Sequence, residues 1–381
     1  MKRTMKKMVS MALTGTMAVA VLAGAGTSEV KAADKAKIGV LVADVSGEEA
    51  QGFRSYYENY IAGNYDVEFN YTDALQSAED EKTAIEKFAS QGSQAIISFS
   101  SNDRVQQIET CEKYGVYYAV ASGVLDDAQY ETYKTYEYFA GQVGPGNDTE
   151  FEAGKDMGAY YKEQGVSKVA IYGAFIPNPM HVYRVAGVLN GLGCTYGGES
   201  DMNAIAGQIF QDQTVDLSKV EGDVEVVSYL QGYGDTTTDE LNAAIQKTPD
   251  AFISVGMATT FFAQSLSEAG ISFSDIDSFT ETNGNSMKNG TLTYLAGKYS
   301  SSIGPVFALV MNAINGNVIR DEDGNAPSIS QGYLVATDSD TFDKYSVSDS
   351  GDAPIYDKET LDSIIGDNVT FEDVKTLVES K

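Results

Sequence analysis

Lys37–Ala43 reads KIGVLVA, an apolar run of strand length that is followed by a turn. A helical pattern covers 48–61, and the same order returns with QAIISF at Gln94–Phe99 and VYYAVA at Val116–Ala121, again separated by helical segments. Strands that are apolar along their whole length are covered on both faces, as in parallel sheets flanked by helices. This part of the chain therefore predicts a doubly wound α/β lobe.

The same alternation begins again after Gly144. Helical patterns at 151–164 and 180–192 enclose the strand KVAIY at Lys168–Tyr172, and AFISV at Ala251–Val255 follows after another strand and helix. Two such halves without a long linker predict an α/β fold of two doubly wound parallel-sheet lobes. Ligands of open α/β sheets bind beyond the carboxyl ends of the strands, so we expect a binding site in the cleft between the lobes.

Composition narrows the function. The chain has 381 residues, 26 basic and 55 acidic side chains, and a formal net charge of −29. This balance excludes nucleic acid as a partner, because phosphate binding needs a basic surface, and it favours a soluble monomer. His181 is the single histidine, while Cys111 and Cys194 are too few for a zinc site or a disulfide scaffold. We expect two buried free thiols, no metal and no cofactor.

Residues 1–32 have the pattern of a secretory signal peptide. A basic start is followed by an uncharged apolar or small stretch from Met11 to Gly24, and Val30-Lys31-Ala32 offers suitable residues before a cleavage site. We expect cleavage after Ala32, although a retained anchor helix stays open as an alternative. Ala25 stands where a lipobox would carry its lipidated cysteine, so the expected product is a secreted, extracytoplasmic protein without a lipid anchor.

Several short motifs occur in a fixed order between Lys37 and Tyr345. They are KIGV at Lys37–Val40, SQGSQAIIS at Ser90–Ser98, EAG at Glu152–Gly154, RVAG at Arg184–Gly187, DAFI at Asp250–Ile253 and NGTLT at Asn289–Thr293. In this order they resemble the type I periplasmic binding proteins, in particular the ribose and galactose group of sugar receptors that serve ABC transporters.

The resemblance implies two lobes joined by a hinge of three crossing strands, which closes on a small ligand. The first lobe would comprise 35–141 plus 283–317, and the second 142–282 plus 318–350. Residues 351–381 are acidic with helical patterning, and this composition predicts a peripheral C-terminal appendage. It also implies a receptor without catalysis that delivers its ligand, a sugar, to an ABC transporter permease. Presentation of the closed form to a sensor kinase or chemoreceptor is the alternative within the same fold.

Carried over position by position, the resemblance implies ligand contacts from the loops at the strand ends. The implied residues are Asp44, Ser46 and Glu48; Ser100, Ser101 and Asn102; Ser122; Asn147 and Asp148; Arg184; Tyr233; Gly256 and Met257; Glu281; and Lys298. His181 is a further candidate from its place beside the Pro-Asn-Pro loop. Some of them have other interpretations. Arg184 also suits an ion pair on a helix surface, His181 a solvated loop, Tyr233 packing, and Asn147 and Asp148 the cap of the following helix.

Departures from the family pattern leave the ligand open. Ser122 stands where sugar receptors place an aspartate, and Val255-Gly256-Met257 replaces Asn-Asp-Glu. A less polar pocket also suits a nucleoside, an aromatic compound, a modified sugar or a peptide fragment. We expect no enzyme, because the chain lacks a Gly-x-Ser-x-Gly elbow and a histidine pair; the carboxylates of Glu48 and Glu281 are the remaining catalytic option.

Overall fold

The structure is a computed structural model that describes residues 35–232, 235–349 and 353–381, so the predicted signal peptide lies outside the described residues. The strands are β1 (Ala36–Leu41), β2 (Val67–Tyr71), β3 (Ala95–Ser98), β4 (Tyr117–Ala121), β5 (Phe139–Gly144), β6 (Lys168–Tyr172), β7 (Thr195–Tyr196), β8 (Val220–Glu221), β9 (Glu225–Leu230), β10 (Ala251–Ser254), β11 (Ser272–Ser278), β12 (Leu292–Lys298), β13 (Ser328–Ser330) and β14 (Leu334–Ala336).

Helices alternate with these strands. They are α1 (Glu48–Ser55), α2 (Ala62–Asn64), α3 (Ala78–Ser90), α4 (Arg104–Tyr114), α5 (Asp127–Tyr133), α6 (Asn147–Glu163), α7 (Pro179–Gly191), α8 (Met202–Asp212), α9 (Asp235–Gln246), α10 (Ala258–Ala269), α11 (Glu281–Lys288), α12 (Gly304–Ile314), α13 (Ser339–Asp349), α14 (Lys358–Asp362) and α15 (Phe371–Glu379). A π-helical turn, Tyr56–Ile61, continues α1. In the described part of the chain, no helix is both long and apolar enough to span a bilayer.

Two six-stranded sheets organise the described residues, and the predicted α/β architecture is confirmed. The first sheet has the order β13-β5-β4-β3-β1-β2 and is parallel throughout. The second has the order β14-β12-β11-β10-β6-β9, in which only the edge strand β14 runs antiparallel. In both sheets the strand order reverses beside the lobe's first strand, which is where doubly wound sheets bind their ligands.

Each sheet with its helices forms a lobe, which we call the first lobe and the second lobe. The apolar runs read from the sequence are the buried strands: Ile38, Val40 and Leu41 of β1 are inaccessible to solvent. Helix starts are fixed by side-chain caps, such as Ser77 before α3 and Asp103 before α4. Helix α12 is apolar all round because it is covered on one side by β3–β5 and on another by α14.

The crossings between the lobes differ from the predicted boundaries. The expected first lobe includes 283–317, but β12 pairs with β11 inside the second sheet. Residues 142–144, expected in the second lobe, end β5, and Ser328–Ser330 of the expected second lobe pairs with β5 in the first sheet. The physical reason is that the pairing partner assigns a strand to its sheet, whereas an apolar run suits either sheet.

Residues 353–381, which we call the C-terminal segment, belong to the core of the molecule, not to a peripheral appendage. Its apolar side chains Tyr356, Leu361, Ile364, Val374 and Val378 are all buried. The sequence pattern missed this because acidic residues dominate its exposed face.

The C-terminal segment is attached at the crossings themselves. The ring of Tyr356 stacks on that of Tyr299, which directly follows β12, with centroids 6.4 Å apart. The Tyr56 hydroxyl donates to the Tyr356 carbonyl at 2.6 Å, and Gln331 Nε2 donates to the Tyr356 hydroxyl at 3.2 Å. Tyr299 and Gln331 lie on two different crossings, so the segment holds both from the side of the first lobe.

The two cysteines are both free and buried, as predicted. Cys111 lies in α4 of the first lobe, and burial raises the pKa of its thiol above the usual range. Cys194 directly precedes β7, which pairs antiparallel with β8 in the second lobe.

Candidate functional site

A cleft of about 910 Å³ opens between the lobes at the carboxyl ends of their strands. The first lobe contributes residues that directly follow β1, β3 and β4, together with the ends of β2 and β5, and the second contributes the start of α7, parts of α8 and the end of β12. The volume lies within the range of small-molecule sites. A smaller cavity of about 550 Å³ adjoins the cleft and shares Glu49, Phe53 and Lys298 with it.

Aromatic rings form much of the first lobe's wall. Phe53 of α1 and Phe99 after β3 stack with ring centroids 5.4 Å apart. The Arg54 guanidinium lies 4.6 Å from the ring centroid of Tyr71 and pairs with Glu58 at 3.0 Å. The Tyr71 hydroxyl is sealed from solvent without a hydrogen-bond partner among the described residues. This wall offers flat apolar faces of the kind that stack on a ring-shaped ligand.

The second lobe's wall is built by two helices. Asn178 caps α7, so Asn178, Pro179 and Met180 are presented at the edge of the cleft. Tyr183, one turn into α7, donates from its hydroxyl to Asn203 Oδ1 of α8 at 3.1 Å. Phe210 packs edge-on against Tyr183 with ring centroids 6.4 Å apart. The bond between the helices orients the tyrosine that faces the first lobe.

Glycines at the ends of β4 and β5 allow a close approach of backbone and side chain on the first-lobe side. A Cβ on Gly123 would lie 3.1 Å from Arg104 Nη2, and a Cβ on Gly144 would collide with the Gly123 amide. Gly123 also has a φ of +153°, which side-chain-bearing residues rarely adopt. The guanidinium of Arg104 is thereby packed against the turn that follows β4.

Six of the residues implied by the resemblance line the cleft. They are Asp44, Ser101, Ser122, Asn147, Asp148 and Lys298. Asp44 closes its own loop by accepting from the Ser46 amide at 2.9 Å, a bond that lowers the pKa of the Asp44 carboxyl.

Ser122, Asn147 and Asp148 line the cleft from two segments that follow strands of the first lobe. Ser122 has a φ of +56°, a strained conformation for serine. Asn147 and Asp148 are the first residues of α6, whose N-cap is Gly146, so neither is the cap.

Lys298 belongs to a contact that joins the lobes within the cleft. Its Nζ lies 3.4 Å from Glu49 of α1, and the Ser278 hydroxyl donates to the same carboxylate at 2.9 Å. Ser278 and Lys298 end neighbouring strands of the second sheet. The contact places Lys298 beside the cleft with part of its charge already neutralised.

Most of the other implied residues lie away from the cleft. Ser46 stays in the Asp44 loop, Glu48 lines the smaller cavity, and Ser100 and Asn102 donate to the buried Glu81. His181, Arg184, Gly256, Met257 and Glu281 are not among the residues that line the cleft. Tyr233 lies outside the described residues. Position after a strand brought these residues to the correct edge of the sheet, but it did not fix where their side chains point.

Arg184 is enclosed by the protein, with 2% of its surface exposed. Its Nε donates to Glu150 at 2.6 Å, Nη1 to the Val255 carbonyl at 2.8 Å, and Nη2 to the Tyr333 hydroxyl at 2.7 Å. The Tyr333 hydroxyl also lies 2.9 Å and 3.0 Å from the Glu150 oxygens. The fork that the resemblance assigned to ligand oxygens is instead used to tie α6, α7, β10 and the last crossing together.

His181 is buried beside Arg184, not solvated. Its Nδ1 lies 3.1 Å from the Phe175 amide nitrogen and 3.0 Å from the Phe175 carbonyl oxygen. Burial first, and the Arg184 charge second, lower the pKa of His181 to about 4. The imidazole is therefore neutral at pH 7 and forms part of the second lobe's interior.

Several cleft residues were missed by the sequence. They are Arg54, Phe53, Tyr71, Phe99, Arg104, Tyr130, Gln142, Tyr183 and Phe210. The sequence contained a signal for Phe99 and Arg104, because Phe99 directly follows strand β3 and Arg104 begins the next helix, α4. Tyr183 and Phe210 gave no such signal, because they lie on helices whose orientation depends on packing.

The site residues offer no obvious metal centre. Among the described residues there is no group of three or more histidine, cysteine, aspartate or glutamate side chains placed to hold a metal ion. What the cleft offers is hydrogen-bonding groups between aromatic faces, a combination suited to holding an organic solute.

No protein-family model matches the chain, and no curated protein matches it in sequence. Solved structures do resemble it. The arabinose-transporter binding component from Shewanella sp. ANA-3 is 16% identical with a TM-score of 0.58, covering 81% of this chain and 94% of its own. The binding protein from Actinobacillus succinogenes with bound D-allose is 16% identical with a TM-score of 0.61, covering 82% and 100%.

A third solved structure is also similar to the chain. It is a twin-arginine translocation pathway signal protein from Burkholderia phytofirmans, 11% identical with a TM-score of 0.62, covering 84% of this chain and 95% of that one. At these identities the likeness establishes the fold: the chain has the fold of the type I periplasmic binding proteins.

Proposed function

We propose that this protein is an extracytoplasmic receptor that binds a small solute, a sugar, in the cleft between its lobes and delivers it to an ABC importer without transforming it. The observation that carries the proposal is the cleft itself, in which the carboxyl ends of two doubly wound sheets face each other across aromatic and polar side chains. The sugar-binding proteins among the structural neighbours support the choice of ligand. The expected secretion after Ala32 supports the compartment.

The walls suit a sugar in two ways. The Phe53–Phe99 pair in the first lobe and Tyr183 in the second offer flat surfaces to the C–H face of a pyranose or furanose ring. Asp44, Asn147 and Asn178 supply carboxylate and amide groups for hydroxyls at the rim. Closure of the hinge would bring the two walls onto opposite faces of the ring.

A thermal-shift screen of the full chain against a panel of neutral and acidic sugars, nucleosides, amino acids and short peptides tests the proposal. A ligand at about a hundred times its dissociation constant raises the stability by roughly 2.7 kcal/mol, which gives a clear shift. We expect a sugar to produce it, and Tyr183→Ala to weaken that sugar's binding about tenfold, since an aromatic contact in a desolvated site typically exceeds 1 kcal/mol.

Tyr114→Ala is the matched control. Tyr114 is 43% exposed on α4 and is not among the cleft residues, so its removal should leave the affinity unchanged. A shift with nucleosides or peptides alone would replace the sugar as the ligand class. Equal loss in both tyrosine variants would place the binding site elsewhere.

A further inference from the structure

Arg104 is a cleft residue whose charge the protein leaves largely unused. It begins α4 just beyond the carboxyl end of β3 and is partly buried. Its Nη1 donates to the Val124 carbonyl at 2.6 Å. Within the described parts of the chain, Nε and Nη2 donate to no acceptor, and no carboxylate lies within ion-pair distance of the guanidinium.

The other cations of the cleft are neutralised by protein carboxylates. Arg54 pairs with Glu58 at 3.0 Å, and Lys298 approaches Glu49 at 3.4 Å. The contrast matters because the chain has 55 acidic side chains for 26 basic ones, so carboxylate partners are abundant. A partly desolvated guanidinium without one is costly to the fold unless something else supplies the oxygens.

Burial also affects the guanidinium itself. Desolvation lowers the pKa of Arg104 below its ordinary value, with Tyr118 and Glu81 acting in the opposite direction. The group nevertheless stays charged at neutral pH, since arginine does not lose its proton in that range. Nη2, unlike Nε, is not sealed from solvent, and it rests against the glycine turn at Gly123 on the side of the cleft.

We propose that Arg104 binds a carboxylate of the ligand, so that the receptor prefers a sugar acid of the uronate type to the corresponding neutral sugar. This inference rests on the proposed function and names the substrate class of the same cleft. A planar guanidinium with free donors matches a carboxylate better than it matches a single hydroxyl, and such charge-assisted bonds are about twice as strong as neutral ones.

The negative charge of the whole protein acts against an anionic ligand over long distances, and it sets the conditions of the test. At 0.15 M salt the screening length is about 8 Å, so distant carboxylates contribute little, whereas a direct guanidinium–carboxylate contact in a partly buried site is screened much less. Binding is therefore measured at physiological ionic strength.

Isothermal titration of the full chain with two matched pairs tests the proposal: D-galacturonate against D-galactose, and D-glucuronate against D-glucose. Each pair differs in the oxidation state of one carbon. We expect at least one uronate to bind tenfold or more tightly than its neutral partner, and Arg104→Met to remove that preference by weakening the uronate ten- to a hundredfold while changing the neutral sugar less than threefold.

Three further measurements separate a specific role of the Arg104 guanidinium from a general loss of charge or of folding. Lys113→Met is the matched control: it removes a positive charge from the same helix, α4, at an exposed position outside the cleft, and it should leave the preference for the uronate in place. Arg104→Lys should restore part of it, because the charge returns without the planar fork. The thermal midpoint of Arg104→Met without ligand should stay within about 2 °C of the parent, which excludes unfolding as the cause.

The failures are distinguishable. If neutral sugars bind and Arg104→Met weakens both members of a pair equally or neither, the proposal for Arg104 falls and the receptor function stands. If no uronate and no neutral sugar binds, both fall together.

Discussion

Arg184 in the second lobe is buried and Arg104 in the first lobe is partly buried, and the two differ in how many of their guanidinium donors the protein itself uses. Arg184 is held by Glu150, the Val255 carbonyl and Tyr333, and it is inaccessible to a ligand. Among the residues that the structure describes, Arg104 donates to one acceptor, the Val124 carbonyl. An arginine near the cleft is therefore a candidate ligand contact when some of its N–H donors have no protein acceptor. Its position after a strand does not decide this.

The largest expected effect is the loss of the Arg184 charge. Arg184→Met leaves Glu150 as an uncompensated buried carboxylate, and breaking one partner of such a pair lowers the free energy of unfolding by about 3–5 kcal/mol. Urea denaturation measures this directly.

Arg54→Met provides the control, because its pair with Glu58 is half exposed and should contribute less than about 1 kcal/mol. Equal losses of unfolding free energy in the two variants would contradict the view that Arg184 stabilises the fold through a buried ion pair.

The second-largest expected effect is a pH dependence of the unfolding free energy that comes from His181, which packs beside Arg184. The pKa of His181 is lowered from 6.5 to about 4 in the folded protein, first by burial and then by Arg184. Between these values the unfolded chain binds the proton more readily. The free energy of unfolding therefore keeps its full value above pH 6.5. It decreases as the pH falls toward 4, by about 3 kcal/mol in total, because the folded state holds the imidazole neutral.

His181→Gln removes the titrating group. The fall in unfolding free energy between pH 7 and pH 4.5 should therefore be smaller in this variant than in the parent, by roughly 2 kcal/mol. Chemical denaturation at the two pH values measures both proteins. An identical fall would mean that the imidazole keeps its ordinary pKa and that the region around Arg184 is open to water.

The fold around Arg184 could be predicted from the sequence, but the partners of Arg184 could not. Uninterrupted apolar runs such as β1 and β6 are enough to predict parallel strands, and their spacing predicts two lobes, because both features follow from burial on two faces. Arg184 was correctly placed on an amphipathic helix near a strand end. Its ion pair with Glu150 was not predictable, since the two residues are 34 positions apart and meet only through the packing of α6 on α7.

The C-terminal segment illustrates the same limit. Its acidic composition indicated an exposed appendage, yet Tyr356 is completely buried against residues about 300 and 55 positions earlier. Composition reports the exposed face of a helix, whereas the partner of the apolar face is set by the tertiary fold. Arg104 was overlooked for a related reason, because its distinction lies in partners that it lacks.

The smallest of these effects separates the hydroxyl of Tyr333 from its ring. Tyr333→Phe keeps the ring and removes the hydroxyl that Arg184 Nη2 donates to at 2.7 Å and that lies within 3.0 Å of both Glu150 oxygens. Loss of a buried polar partner costs about 1–3 kcal/mol of unfolding free energy, and Tyr114→Phe at an exposed position should cost less than about 0.5 kcal/mol. Ligand affinity should not change, because Tyr333 does not line the cleft. A Tyr333→Phe protein of parental stability with weakened ligand binding would show instead that the Arg184 cluster faces the solute, and that the two guanidinium groups act together.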